Sequence, residues 1–550
     1  MSLLRSYPIV LHLVIESKNE KPFPTSTINL CNLDSFLLSS CGDESEPVPD
    51  VPPLEVILST SANSTVVWNT AKLSVTATSG HGIDKIDLKI DGVSVGEATS
   101  SPYEFSWDTN DASDGPHTAT ATVTDKSGNK ETTELRLTVQ NTLLEAKINS
   151  DMLRTKEDEY DERGFIFLSD EKGKVIVAQE FKNGDEISFK APTFDGGEFT
   201  VSEVVTSPKY GGYTITTITS TPRVSRGKWV LKAPYAQISA GVANVSFTNR
   251  DDNLDYYLNT NDLGTYYLNG TQASGLNLQT SPSKLYVKSQ PKDGSGVIKY
   301  HMFNSIVTGT NPDALDLSLV NKPLTEETIS LPEGMTKGSI FIYGLHKVDN
   351  TSQIYHIGST YNDDGMGKLT IQYPATGFDS FYSWTRLTDA EYSALNVSNS
   401  SIPYDLVPLE GTLNASLAGR EITYSATGDM DIINFFLSHN YLDWTIFAEK
   451  SAASVVIPEL PAILNDVVNL NAEIDDVAVT MTGEAYPQIQ DYSSYLDFVR
   501  ASTHGYIDLR SSYVAYKHLH KKIFNDVGGR KATGDTVVAT PPITSNSIGN

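Results

Sequence analysis

Apolar and polar residues alternate in short runs from Leu54 onward, separated by turn residues roughly every 8 to 12 positions. Because successive side chains of a strand point to opposite faces, this pattern is typical of a β-sandwich with one buried face per strand. Between residues 54 and 140 it predicts seven strands: Leu54–Leu58, Ala71–Ala77, Lys85–Asp91, Val93–Ala98, Tyr103–Trp107, Thr118–Thr124 and Thr133–Val139. That number of strands is typical of an immunoglobulin-type sandwich.

The alternation also predicts which side chains are buried. Ile86, Leu88 and Ile90 share one face of their strand, and the polar residues between them share the other. Asp91-Gly92 follows directly and predicts a hairpin turn, because Gly accepts the positive φ that such turns need. We expect the apolar face to contribute to the core of the sandwich.

Residues 54–140 resemble the immunoglobulin-like repeats of secreted and surface proteins of bacteria. The likeness rests on three segments, Ile86–Val95, Ser101–Asp108 and Asp114–Asn129. It implies a sandwich without the antibody disulfide, supported by buried aromatic residues such as Trp107. It also implies a spacer or adhesive module outside the cell rather than a catalytic domain.

The same alternating pattern, which predicts short strands, continues to the end of the chain. We expect a second β-sandwich at 141–235, a β domain at 236–410 and another at 411–550 with a disordered tail from Gly528 to Asn550. The hairpin predicted for 164–178 loosely resembles the transthyretin-like sandwich of exported bacterial proteins. Short helices are predicted at Asp431–Phe436 and Tyr495–Ala501. The predicted fold class is all-β, with tandem sandwiches after a disordered leader and a Pro-rich linker.

The segment around Cys41 predicts where the protein is located. Phe36-Leu37-Leu38-Ser39-Ser40-Cys41-Gly42 resembles the lipobox of a bacterial lipoprotein. The resemblance implies that residues 1–40 are a signal leader, that Cys41 carries lipid, and that residues 41–53 form an acidic, Pro-rich tether. Several acyl chains would hold such a protein firmly on a membrane. The alternative is an ordinary cysteine, because charged residues follow the apolar run at 7–15.

Composition excludes several classes of protein. The 550 residues carry 41 Lys and Arg against 68 Asp and Glu, a formal charge of −27, which opposes nucleic-acid binding. No apolar run is long enough for a transmembrane helix, so membrane contact is expected only through a lipid anchor. After cleavage Cys41 would be the one cysteine left of two, and no disulfide is expected.

Tyrosine is the commonest aromatic residue, with 27 Tyr against 19 Phe and 5 Trp. Rings among polar neighbours suit sugars, because a flat ring stacks on C–H groups while nearby Asn, Asp or Arg bind hydroxyls. The alternative is that one ring of each pair packs in a core and the other covers it. The candidate ligand-binding residues are Tyr256, Tyr257, Tyr266, Tyr267, Tyr382, Trp384, Tyr441 and Trp444.

A candidate calcium loop overlaps the first of these clusters. Asp251, Asn253 and Asp255 have the alternate oxygen spacing of a calcium-binding loop, but Tyr256 stands where such a loop needs Gly. A solvated hairpin is the competing interpretation. No other cofactor is predicted, and the chain contains no nucleophile elbow, P-loop, zinc-protease or dinucleotide motif.

Together these features predict a non-catalytic binding protein on the surface of a bacterial outer membrane. The order of lipobox, Pro-rich spacer, immunoglobulin-like domain and larger β domains is similar to that of surface glycan-binding lipoproteins of Bacteroidota. The resemblance implies a polysaccharide partner for the distal domains. Two alternatives remain: an adhesin or structural envelope protein that binds cells or a protein partner, and a polysaccharide hydrolase whose carboxylates meet only in the fold.

Overall fold

The computed structural model describes residues 52–154, 161–209, 213–231, 239–348, 351–362, 367–389, 393–399, 402, 406–439, 441–465, 478–501 and 516–522. Residues 1–51, which include Cys41 and the predicted leader, and the predicted tail from Gly528 lie outside the described residues. Within them nearly every regular element is a strand, and sandwich-like layers follow one another along the chain. The predicted all-β fold class is confirmed.

The first sandwich consists of two sheets around one core. All seven predicted strands are present among its eight: β1 (Glu55–Thr60), β2 (Val66–Val67), β3 (Thr70–Thr78), β4 (Ile83–Ile90), β5 (Val93–Ala98), β6 (Tyr103–Asp108), β7 (Gly115–Asp125) and β8 (Lys130–Val139). The strand orders of the two sheets are β1-β3-β6 and β2-β8-β7-β4-β5. Ile86 and Leu88 are fully buried between the sheets, as the alternation predicts.

The aromatic support of this core differs from the expectation. Phe105 is the buried ring of β6, whereas Trp107 is only half-buried and packs against the rim of the core. Its indole meets the His117 imidazole edge to face, with 5.5 Å between ring centroids. Trp107 therefore lies at the edge of the core instead of at its centre.

A second group of strands, residues 142–231, begins directly after the first sandwich. Its members are β9 (Thr142–Ile148), β10 (Arg163–Ser169), β11 (Val175–Phe181), β12 (Glu186–Lys190), β13 (Glu198–Lys209), β14 (Tyr213–Ser225) and β15 (Gly227–Leu231). Three of them form the sheet β12-β9-β15. The hairpin predicted for 164–178 is confirmed as β10 and β11, which pair in antiparallel fashion.

A third group occupies residues 241–323 and forms two small sheets. Its strands are β16 (Gly241–Thr248), β17 (Leu254–Asn259), β18 (Thr265–Tyr267), β19 (Gln272–Leu278), β20 (Ser283–Pro291), β21 (Lys299–Ile306), β22 (Gly309–Thr310), β23 (Leu315–Asp316) and β24 (Lys322–Pro323). One of the two sheets has the order β18-β17-β20-β21-β24. A 3-10 turn at Leu317–Leu319 follows β23.

The remaining elements contain the one α-helix of the described residues. They are β25 (Thr325–Ser330), β26 (Lys337–Val348), β27 (Thr351–Asn362), β28 (Lys368–Tyr373), β29 (Ser380–Thr388), β30 (Ser393–Asn399), β31 (Gly411–Ala418), β32 (Glu421–Gly428), β33 (Ile432–His439), β34 (Leu442–Glu449), β35 (Ser454–Val456), β36 (Ala478–Ala485), α1 (Tyr492–Ala501) and β37 (Tyr516–Lys522). A second 3-10 turn lies at Ala462–Leu464. The helix predicted at Tyr495–Ala501 is confirmed, whereas the one predicted at Asp431–Phe436 is wrong, because that segment belongs to β33.

A twelve-stranded sheet crosses the domain boundaries expected at residues 235 and 410. Its order is β11-β10-β13-β14-β34-β33-β36-β37-β30-β29-β26-β27. The central join is parallel, with Thr216 of β14 opposite Leu442 of β34. Three segments expected to be separate domains thus share one sheet, and Leu54–Asn550 forms one compact unit.

This sheet is buried on both faces over much of its width. In β10, Ile166 and Leu168 enter one hydrophobic cluster and Phe165 and Phe167 enter another, and all four side chains are fully buried. The sheet is therefore an internal layer. Its edge strand β27 is nevertheless partly exposed, and the third group of strands lies against it.

Candidate functional site

Two tyrosines on the hairpin of β17 and β18 form the core of the candidate site. Tyr257 and Tyr267 lie directly opposite each other in the register of the hairpin. Their rings meet edge to face, with 5.7 Å between centroids, a favourable geometry for an aromatic pair. Tyr267 is 54% exposed and Tyr257 is partly exposed. The hairpin therefore presents a pair of rings to solvent.

Strand alternation explains why these two tyrosines face outward. Tyr256 and Leu258 point into the core of the third group of strands, so Tyr257 between them points away from it. Tyr266 packs partly against that core, and its hydroxyl accepts a hydrogen bond from the Asn277 N–H at 3.0 Å. Of each neighbouring pair, one ring is structural and the other is free to meet a ligand.

Charged side chains surround the tyrosine pair. The Tyr267 hydroxyl donates a hydrogen bond to Asp255 Oδ1 at 2.7 Å, and this bond raises the pKa of the phenol. Arg250, whose charge also acts on this phenol, forms an ion pair with the exposed Asp252. We call Arg250, Asp252, Asp255, Tyr257 and Tyr267 the tyrosine surface. It combines flat rings with hydrogen-bond donors and acceptors.

Further aromatic rings continue from this surface onto β27. Thr265, two residues before Tyr267, contacts the His356 Nδ1 through its hydroxyl at 3.2 Å. Phe341 packs between His356, at 6.5 Å, and Tyr361, at 5.7 Å between centroids. Tyr361 is 63% exposed. Sequence reasoning missed these rings, because β26 brings Phe341 beside β27 only in the folded sheet.

Lys288 and His356 lie where the sheet that contains β17 and β18 meets β27, and they determine the charge there. Lys288 donates a hydrogen bond to the Ile357 carbonyl at 2.6 Å, and burial lowers its pKa to about 8. Burial, reinforced by the charge of Lys288, lowers the pKa of His356 to about 4. The imidazole is therefore neutral at pH 7, and the lysine is mainly charged.

The other predicted aromatic residues are not part of the tyrosine surface, although the Trp384 ring lies 5.0 Å from that of Phe341. Tyr382 and Trp384 of β29, like Trp444 of β34, are almost fully buried in hydrophobic clusters. The Trp444 indole donates to Ser220 Oγ at 2.9 Å. Packing accounts for these three rings. Tyr441 is 46% exposed but precedes β34, which belongs to a different sheet from the tyrosine surface.

The acidic residues of the predicted calcium loop accept hydrogen bonds within a turn and from a tyrosine. Asp251 Oδ1 accepts hydrogen bonds from both the backbone and the side-chain nitrogen of Asn253, at 2.9 and 3.0 Å. Asp255 binds the hydroxyl of Tyr267. Among the described residues, no group of three or more His, Cys, Asp or Glu side chains is placed to hold a metal ion. Calcium binding at this turn stays a prediction.

A separate cleft of about 520 Å³ lies between the second group of strands and β32, β34 and β35. A bulge in β13 and β14 gives Arg223 a φ of 60°. Its guanidinium pairs with Glu198 at 3.3 Å and with Glu449. Tyr492 closes the wall by donating to the Pro222 carbonyl at 2.8 Å. The cleft is lined by acidic and basic groups beside apolar side chains. No local sequence pattern indicates this cleft.

Comparison with known families identifies the class of the first sandwich. The profile of the bacterial Ig domain family matches residues 55–121. This confirms the immunoglobulin-like resemblance for that part of the chain. Among the described residues, no helix has both the length and the apolarity to cross a membrane.

No curated protein matches the sequence. The solved structures that resemble this chain do so only distantly. Fibronectin(III)-like modules of Clostridium thermocellum CbhA are 24% identical, covering 15% of this chain and 96% of theirs, with a TM-score of 0.14. A Ca²⁺-stabilized adhesin that helps an Antarctic bacterium bind ice is 14% identical, covering 79% and 95%, with a TM-score of 0.13. SGBP-B of the Bacteroides ovatus mixed-linkage glucan utilization locus, solved with a heptasaccharide, is 11% identical, covering 58% and 92%, with a TM-score of 0.13. TM-scores this low support no conclusion about this chain.

Proposed function

We propose that this chain is a non-catalytic cell-surface protein that binds polysaccharide through the tyrosine surface. The observation that carries the proposal is the exposed pair Tyr257 and Tyr267, held by Asp255 beside the Arg250–Asp252 ion pair. A sugar ring presents C–H groups on its faces and hydroxyls around its edge. The rings supply stacking area, and the charged groups supply hydrogen bonds to hydroxyls.

The shape of the surface favours a chain of sugars over a small molecule. Tyr267 is 54% exposed on its hairpin, and the contacts through His356 and Phe341 extend the row of rings to Tyr361. Small ligands are bound mainly in concave sites that cover most of their surface. An extended polymer gains affinity instead from several weak contacts in a row.

Charge favours a neutral polysaccharide. The chain carries a formal charge of −27, which raises the free energy of binding any polyanion. Within the tyrosine surface, the carboxylates of Asp252 and Asp255 also repel a uronate or sulfate group. A neutral glycan is free of both penalties.

Attachment to the outer membrane through lipidated Cys41 is part of the proposal. The support comes from the lipobox-like sequence before Cys41 and from the bacterial Ig domain after the tether. Mass spectrometry of protein extracted from membranes tests it. We expect an acylated Cys41 at the N-terminus, whereas an unmodified Cys41 with residues 1–40 still attached contradicts the anchor.

A panel of immobilised neutral and anionic polysaccharides tests the binding function with the full chain. We expect retention on at least one neutral polysaccharide and none on its carboxylated counterparts. A folded protein that binds no polysaccharide, yet adheres to cells or captures a protein partner, contradicts the proposal in favour of an adhesin. Release of sugar products from the bound polysaccharide contradicts the non-catalytic role.

A further inference from the structure

One arginine joins the Ig-like domain, residues 54–140, to the second group of strands. Arg226 lies in the turn between β14 and β15 and is 8% exposed. One guanidinium nitrogen donates to the carbonyls of Gln140 and Asn141, at 3.1 and 3.2 Å. Another donates to the carbonyls of Phe194 and Gly196, both at 3.3 Å. A single planar cation thus ties the end of the Ig-like domain to the loop between β12 and β13.

An aromatic ring from the Ig-like domain meets the same cation. Trp68, between β2 and β3, lies 4.6 Å from the Arg226 guanidinium carbon, measured to the ring centroid. This is a favourable distance for a cation over an indole face. The indole N–H donates to the Asp195 carbonyl at 3.0 Å. Gly197 lies beside the ring, where a Cβ would make an ordinary van der Waals contact at 3.7 Å.

The neighbouring asparagine fixes the joint from a second direction. Asn69 is buried with a φ of 51°, and its side-chain amide donates to the Phe194 carbonyl at 2.7 Å and to Asp195 Oδ1 at 3.0 Å. Its backbone N–H donates to Asn141 Oδ1 at 3.1 Å. Asp114 in turn accepts from the Asn141 N–H at 2.8 Å. Residues from four separate segments therefore converge on one contact.

The chemistry of Arg226 suits a structural joint. Burial lowers its pKa to about 10, so the side chain is charged at pH 7. The four hydrogen bonds described above all go to backbone carbonyls, which are fixed by the strands and turns that carry them. Lysine keeps the charge but lacks the planar fork that reaches several acceptors at once.

We propose that Arg226 and Trp68 clamp the Ig-like domain against the second group of strands, so that the two move as one rigid body. The Trp68 edge of the domain is then an internal docking surface. The direction in which the rest of the chain extends from the Ig-like domain is set by this contact and not by the short connection at residues 140–142. The inference does not depend on what the tyrosine surface binds.

Spin labels on the two sides of the joint test the clamp in the full chain. Cys31 and Cys41 are first replaced by Ser, and labels are placed at the exposed positions Lys130→Cys and Lys172→Cys. Pulsed electron resonance then measures the distribution of distances between the labels. We expect one narrow distribution in the unmodified joint and in a control, Arg136→Gln, which changes an exposed arginine of the Ig-like domain.

Two variants distinguish loss of the clamp from a general loss of folded structure. Trp68→Ala and Arg226→Lys are expected to widen the distance distribution at least twofold, while circular dichroism shows the same strand content. A broad distribution in the unmodified joint overturns the proposal by itself, whatever the variants do. A distribution that stays equally narrow in both folded variants overturns it as well.

Discussion

His356, on the edge strand β27 of the large sheet, contacts the hairpin that carries the tyrosine surface. It contacts the Thr265 hydroxyl on one side and lies near the Lys288 charge on the other. Its pKa is lowered from 6.5 to about 4, first by burial and then by Lys288. Between pH 6.5 and pH 4 the unfolded chain binds a proton at this position that the folded chain does not. Stability is therefore lost as the pH falls through this range.

Replacing His356 tests this coupling. Because of this imidazole, the free energy of unfolding is expected to fall by about 1 to 2 kcal/mol between pH 7 and pH 5, allowing for partial solvent screening. In His356→Gln, which has no titrating ring, we expect the urea midpoint to fall less over this interval than in the native chain. His301→Gln on β21 is the comparison: burial and the charge of Lys322 also lower the pKa of His301, and we expect this variant to reduce the pH dependence by a smaller amount. An identical pH dependence in native and His356→Gln proteins contradicts the assignment.

Single residues of the site were predictable where alternation alone decides exposure. The sequence around Tyr256 and Tyr257 predicts that one ring of the pair is buried and the other is not. It does not predict that Trp384 and Trp444 are both buried, because their strands lie in a sheet covered on both faces. Nor does any local pattern identify Arg226, whose acceptors come from residues 30 to 86 positions away.

Among the strands, β33 shows where pattern reasoning fails. Ile433, Phe435 and Leu437 are buried on one face of the strand, and Ile432 and Asn434 are buried on the other. A strand buried on both faces loses the alternation that identifies strands, and a short apolar run is then easily taken for a helix. Seven of the eight strands of the Ig-like domain were predictable because each has one polar face.

The central position of β33 gives a prediction for stability. Phe435 is fully buried and meets Tyr424 edge to face, with 5.1 Å between centroids. We expect Phe435→Ala to lower the free energy of unfolding by about 3 to 5 kcal/mol, because a cavity opens in an internal layer. Ile57→Ala, at a position 65% exposed on β1, is the control and is expected to cost about 0.5 kcal/mol or less. Equal urea midpoints for the two variants contradict an internal β33.

For the whole molecule, the twelve-stranded sheet is the feature that sequence reasoning did not anticipate. β14 and β34 pair in parallel although more than two hundred residues separate them. Such pairing leaves no local pattern, because it depends on which surfaces remain unpaired after nearby strands have formed. Composition and turn spacing predicted the all-β class but placed boundaries at 235 and 410 inside a continuous sheet.

Truncation distinguishes a shared sheet from separate domains. A chain ending at residue 410 loses β31 to β37 and with them the partner of β14 and the cover of Phe165 and Phe167. We expect limited proteolysis to cut within β10 to β14 at least tenfold faster than in the full chain. A chain ending at residue 522 keeps every described strand and is expected to resist like the full chain. Equal resistance of all three chains contradicts the shared sheet.

The most direct test of the proposed function is the affinity of the full chain for the neutral polysaccharide that it retains best. Isothermal titration with the double variant Tyr257→Ala and Tyr267→Ala is expected to show at least a tenfold weaker Kd, equivalent to about 1.4 kcal/mol, because the stacking area is lost. Tyr441→Ala, which removes an exposed ring on a different sheet, is expected to bind like the native chain. An unchanged Kd in the folded double variant, or a loss confined to Tyr441→Ala, contradicts glycan binding at the tyrosine surface.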